Sequence, residues 1–212
     1  MERRNAAIFA AVITILILVF YQIGYMAEGF VGVKEKDGVV DIDEITPGHF
    51  YILPKSVSIT VYSTNEQRVD LAADITTSDG IEAEMYADVV YMLDGNKASE
   101  LQQDYRNGKL SETIWKHAGH AILPAIADQE PQSKLPEAIL AVAWTQAASN
   151  VSAKDLHIFD NGLEAEALAN LQKNDLLRIY GLNVTHCEFG GIRLADELQE
   201  RIEHTVRARQ TL

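Results

Sequence analysis

Two histidines three residues apart, His117 and His120, lead the few side chains of this 212-residue sequence whose type and spacing suggest chemistry. On a helix they would share a face and could form half of a zinc site, with Glu112 and Asp128 close by in sequence. A zinc hydrolase needs His-Glu-x-x-His, and Lys116-His117-Ala118-Gly119-His120 has no glutamate there. His49, directly after Pro47-Gly48, has the chemistry of a general base. Yet no serine occupies a Gly-x-Ser-x-Gly turn, and Cys187 lies in an alternating apolar stretch that reads as a buried strand. Asp41-Ile42-Asp43-Glu44 lacks the glycine at the sixth place and the glutamate at the twelfth that a calcium loop requires. Gly190-Gly191 stands alone and makes no phosphate cradle. These residues therefore predict no catalytic centre, no metal and no cofactor. An anchored hydrolase would need a nucleophile, a base and an anion-stabilising group that the sequence does not supply.

Charge narrows the partners. Lysine and arginine number 18 against 31 aspartates and glutamates, a net charge of −13, and such a surface repels nucleic acid and anionic headgroups. With Cys187 as the only cysteine, neither an intramolecular disulfide nor a cysteine-rich metal cluster can form. No low-complexity tract or internal repeat of 20 to 50 residues is present, and the length after the first 28 residues suffices for a domain with a real core.

The first element is an apolar run. From Ala6 to Tyr21 no residue is charged, and the run continues through Ala27 to Glu28. About 20 apolar residues cover a hydrocarbon core of about 30 Å as a helix, so residues 1–28 predict a transmembrane signal anchor. Its lipid-facing side chains are Ile8, Phe9, Val12, Ile13, Ile15, Leu16, Ile17, Leu18, Val19 and Phe20. Tyr21 and Tyr25, one helical turn apart, would mark the outer interface. Tyr25 also stands where a cleavage site needs a small residue. Arg3 and Arg4 place the N-terminus in the cytoplasm and the following domain on the extracytoplasmic side.

Beyond Glu28 the pattern is strand-like as far as Leu93. Phe30–Lys34 leads through Lys36-Asp37-Gly38 to Val39–Ile42, a hairpin signature, and Pro47-Gly48 turns into His49–Leu53. Val57, Ile59 and Val61 alternate with Ser58, Thr60 and Tyr62, which predicts a half-buried strand. Val69–Ile75 and a turn at Ser78-Asp79-Gly80 precede the longest alternation, from Ile81 to Leu93. Its buried face is predicted as Ile81, Ala83, Met85, Ala87, Val89, Tyr91 and Leu93.

After Asn96, a candidate helix cap, the period becomes helical. One helix carries Leu101 and Tyr105, a second spans 110–126 with Ile114 and Trp115 on its apolar face, and a third starts near Pro136 and buries Ile139, Leu140, Ala143 and Trp144. A further helix carries Leu163 to Ile179 with Gly181 as its C-terminal stop. A last strand runs Leu182–Phe189, and Gly190-Gly191 opens a final helix over 192–212. The fold class is α+β: an N-terminal transmembrane helix, a mainly antiparallel sheet with packed helices, and a short C-terminal helix.

The order of Gly32-Val33, the acidic hairpin, Thr46–Pro54, Asp74–Gly80 before a long strand, and Tyr180–Val184 followed by Cys187-Glu188-Phe189 resembles the SPFH (band 7) family. The likeness is to its prohibitin-like and bacterial membrane-protease-regulator-like branches. It implies an SPFH domain over residues 29–191, self-association with like proteins, a scaffold role without chemistry of its own, and a membrane-bound ATP-dependent protease as a partner. Family members continue into a long coiled-coil helix, whereas this sequence runs to Leu212. That difference keeps a monomeric membrane-tethered binding module open as the alternative.

Leu194, Leu198, Ile202 and Val206 recur every four residues along 192–212 and form a narrow apolar stripe. Glu197–Arg201 and Glu203–Arg207 are opposite charges at i,i+4 beside it. So short a helix needs a partner surface, either its own domain or a second copy. The four apolar residues are thus the candidate oligomer interface.

Overall fold

The computed structural model describes residues 11, 13–15, 17–76, 82–118, 132–149 and 162–194. Alternation of apolar residues drives eight strands: β1 Tyr21–Tyr25, β2 Phe30–Lys36, β3 Val39–Val40, β4 Phe50–Pro54, β5 Val57–Ser63, β6 Gln67–Thr76, β7 Glu82–Leu93 and β8 Leu182–Leu194. They pair antiparallel as a β1–β4 ribbon, a β3–β2–β5 sheet and a β6–β7–β8 sheet. The helices are α1 Ala98–Arg106, α2 Lys109–Ala118, α3 Leu135–Ser149, α4 Gly162–Gln172 and α5 Asp175–Ile179.

β7 is the centre of the larger sheet. Ala83, Met85, Ala87, Val89, Tyr91 and Leu93 are all buried, as the alternation predicts, with β6 and β8 on either side. Over them lies α3, apolar on most of its circumference, with Ile139, Leu140, Val142, Ala143 and Trp144 fully enclosed. Trp144 Nε1 donates to the Met85 carbonyl at 3.4 Å, so the largest core side chain also satisfies its one polar group. Cys187 is buried on β8 opposite Val89.

The hairpin after β2 has the expected chemistry. Asp37 (φ 53°) and Gly38 (φ 81°) are both left-handed, the backbone of a two-residue turn that suits the strand twist.

Several expectations are corrected. Tyr21–Tyr25 is a strand, so the helix of the apolar run ends at residue 20 rather than continuing to Ala27. The two tyrosines are alternate strand positions, not neighbours on a helix. β8 does not stop at Phe189. It passes through Gly190-Gly191 to Leu194, so residues 192–194 are strand and not the start of a helix. Tyr86 pairs with Gly191 and Ala87 with Phe189, which leaves Gly190 as an extra bulged residue. On β5 Val57 and Ile59 are half-buried and Ser58 exposed, as predicted, but at the far end the facing reverses, with Tyr62 inward and Val61 exposed. Trp115 is 59% exposed on α2, away from the core where Ile114 lies. Helix Leu163–Ile179 is two helices, interrupted before Asn174, whose side chain accepts from Leu176 N–H and caps α5. Asn96 is not a cap. Asp94 accepts from Asn96 N–H, and the first turn of α1 receives Glu44, which accepts from Ser99 N–H at 2.8 Å. The Ser78–Gly80 turn, Ile81, residues 119–126 of the second helix, and His120 lie outside the described residues.

Candidate functional site

The ribbon carries the site. In an antiparallel pair, directly opposed residues share a face, and the register sets Tyr21 against Pro54, Ile23 against Ile52 and Tyr25 against Phe50. All six are exposed. Phe50 is 80% accessible, Ile52 62% and Ile23 56%, and the Tyr25 and Phe50 rings meet with centroids 4.9 Å apart. No residue of either strand is charged. The second face is half-buried, with Tyr51 lying over Gly24, where any Cβ would collide with the ring. On that face Gln22 Nε2 donates to the Val57 carbonyl at 2.6 Å, which ties the ribbon to β5.

The same surface continues into the N-terminal helix. Ile13, Ile15, Ile17, Leu18, Val19 and Phe20 are 40% to 60% exposed. The Phe20 carbonyl accepts from Lys55 N–H at 2.9 Å, fastening the end of the helix to the turn after β4. Of the other predicted anchor residues, Ile8, Phe9, Val12 and Leu16 lie outside the described residues. Among the described residues no helix is long and apolar enough to cross a membrane. The ribbon residues escaped the sequence reading, although Tyr21, Ile23 and Tyr25 alternate with period two and Gly24 disfavours a helix there.

A polar joint sets the direction in which this surface points. Glu35 on β2, only 8% exposed, accepts from Arg106 Nε at 3.0 Å and from Gln102 Nε2 at 3.0 Å, both on α1. Gln102 is fully buried. Its Nε2 also lies within bonding distance of Thr60 Oγ1 and Gln132 Oε1, and its Oε1 accepts from the Tyr62 hydroxyl at 3.1 Å. Burial pushes the Tyr62 hydroxyl well above the ordinary phenol range. The joint clamps the smaller sheet onto the helical body, and no buried side-chain polar atom of the described residues is left without a partner.

His49 belongs to a structural turn. Its Nδ1 donates to the Pro47 carbonyl at 2.8 Å and lies 3.1 Å from the Thr46 hydroxyl, while its own carbonyl accepts from Met26 N–H. His117 is on α2, and among the described residues no three His, Cys, Asp or Glu side chains gather in a metal-binding group. Of the candidate oligomer residues, Leu194 ends β8, and Leu198, Ile202 and Val206 lie outside the described residues.

The structure is an antiparallel α+β body bearing a charge-free ribbon whose apolar face is exposed. The model of the SPFH domain, or band 7 family, matches residues 26–212, and the chain belongs to that family. No curated protein matches the chain.

Proposed function

We infer that this protein is a membrane-attached scaffold, held to the bilayer by its N-terminal helix and by the outer face of the β1–β4 ribbon. The observation that carries the reading is the exposed apolar surface of Ile13, Ile15, Ile17, Leu18, Val19 and Phe20 together with Tyr21, Ile23, Tyr25, Phe50 and Ile52. Exposed apolar surface of this extent in a chain of net charge −13 needs an apolar environment. From Ala6 to Phe20 the apolar run holds 15 residues, which as a helix would measure about 22 Å, short of a hydrocarbon core of about 30 Å. The ribbon, with aromatic rings suited to the headgroup region, makes up the shortfall. Arg3 and Arg4 then face the cytoplasm, with the folded body on the opposite side.

Confinement to one plane raises the effective concentration of neighbouring copies, so weak lateral contacts suffice for assembly. Leu198, Ile202 and Val206, which follow the end of β8 at Leu194, supply such a contact, and the assembly organises membrane partners, among them an ATP-dependent protease of the kind the family resemblance indicates. The test uses the full chain. Ile52→Asp should lower its recovery with carbonate-washed membranes without changing its folded spectrum, and unchanged recovery refutes the ribbon's role. Leu198→Glu with Ile202→Glu should shrink the detergent-solubilised particle in sedimentation. An unchanged size refutes that interface, and a wild-type monomer favours the tethered binding module.

A further inference from the structure

The geometry points to a binding site for an anionic phospholipid at the junction of helix and ribbon, with the lipid chain against the helix and its phosphate on Lys55. This inference rests on the membrane reading above and names the lipid class. A cleft of about 600 Å³ opens there, lined by Ile13, Ile17, Val19, Phe20 and Tyr21 on one side and by Pro54, Lys55 and Ser56 on the other. The wall is hydrocarbon and aromatic, and its one charged group is the Lys55 ammonium, with no carboxylate in the lining. In a chain with 31 acidic residues that is unusual. Among the described residues Lys55, like Lys36, Lys116 and Lys173, has no ion-pair partner, and of these four it alone lines this cleft.

The lysine is also held in position. Its backbone N–H is bonded to the Phe20 carbonyl, which fixes the root of the side chain where the helix ends, within a stem's reach of the interface. A cation beside an apolar cleft at that depth matches an acyl chain that carries a phosphate monoanion without a balancing ammonium. A zwitterionic choline lipid offers the same chain but brings its own cation to the lysine.

The experiment is lipid retention by the full chain in mild detergent, with phosphatidylglycerol and phosphatidylcholine of identical chains mixed equally and the bound lipid quantified by mass spectrometry. One lysine near an anionic headgroup corresponds to about a fivefold preference. Phosphatidylglycerol should be retained about fivefold over phosphatidylcholine, the preference should vanish in Lys55→Gln, and it should persist in Lys55→Arg. Equal retention by the wild-type chain, or an unchanged preference in Lys55→Gln, overturns the site. Soluble glycerol phosphate should not displace the bound lipid, and displacement would show that the cleft plays no part. Carbonate-washed membranes separate the two readings. If the chain stays with them while headgroup preference is absent, only the lipid site fails, whereas loss from the membrane removes both.

Discussion

β7 and β1 both alternate apolar side chains with period two, yet the first buries its apolar face and the second exposes it. β7 has a neighbouring strand on each side and α3 above it, so each inward residue gains contacts from several elements. Among the described residues β1 has one partner, β4, and nothing over the outer face that they share. A two-stranded ribbon is marginal in water by itself. This one is held at its edges, by Gln22 to β5 and by the turn bonds Met26 N–H to the His49 carbonyl and Gly48 N–H to the Met26 carbonyl. The difference teaches that strand periodicity reports which residues share a face, while the layers around the strand decide whether that face meets protein or another apolar phase.

The sharpest way to break the contrast is to truncate one aromatic in each region. Trp144→Ala should cost about 3–5 kcal/mol in denaturant unfolding, because a fully enclosed indole leaves a cavity. Phe50→Ala, removing a side chain that is 80% exposed, should change stability by less than about 0.5 kcal/mol. Comparable losses would mean that the ribbon face is covered by protein. A smaller effect is expected at the joint between the regions. Arg106→Met leaves the buried Glu35 carboxylate without its cation, and since Arg106 is itself partly exposed, a loss of about 2 kcal/mol is expected. Glu35→Gln in the same chain should recover part of it.

The smallest effect concerns alkali. Tyr180, beside Asp104, is pushed up to about 12, chiefly by burial, and burial raises Tyr62 and Tyr91 further. These hydroxyls keep their protons in the fold, so their contribution is intact below the free phenol value of 10.0 and is lost as pH climbs through and beyond about 12. In a tyrosinate absorbance titration the three should give a late step, above the free phenol value of 10.0. A single common step would contradict their burial.

The body of the fold was legible in the sequence where one physical signal dominated. The long alternation of β7, the all-round apolar surface of α3 and the Asp37-Gly38 turn each have one good solution. The misread elements are those where two signals competed. Tyr21–Tyr25 continues a hydrophobic run, and length favoured a helix, while the finer alternation and Gly24 favoured a strand. Gly190-Gly191 looked like a terminator, but in a strand an extra glycine accommodates a bulge, and Gly191 at φ 132° uses the freedom that only glycine has there. Others were invisible because the partner is remote. Glu44 reaches the first turn of α1 from 55 residues away, and Tyr62 turns inward where the Gln102 side-chain oxygen accepts its hydrogen bond. The candidate site was half legible: the helix residues were readable as apolar, but the opposing strand that doubles their surface depends on a pairing set only by the fold.

Helix gives way to strand between Phe20 and Tyr21 with no intervening loop, and Lys55 clips that corner shut. The joint between helix and body is therefore stiff. In the membrane assembly proposed above, tilting or drawing on the helix would swing the ribbon and, through Gln22 and the Glu35–Arg106 clamp, the body with it, so each copy would present its flanks to a neighbour at a set attitude instead of swivelling on a slack leash.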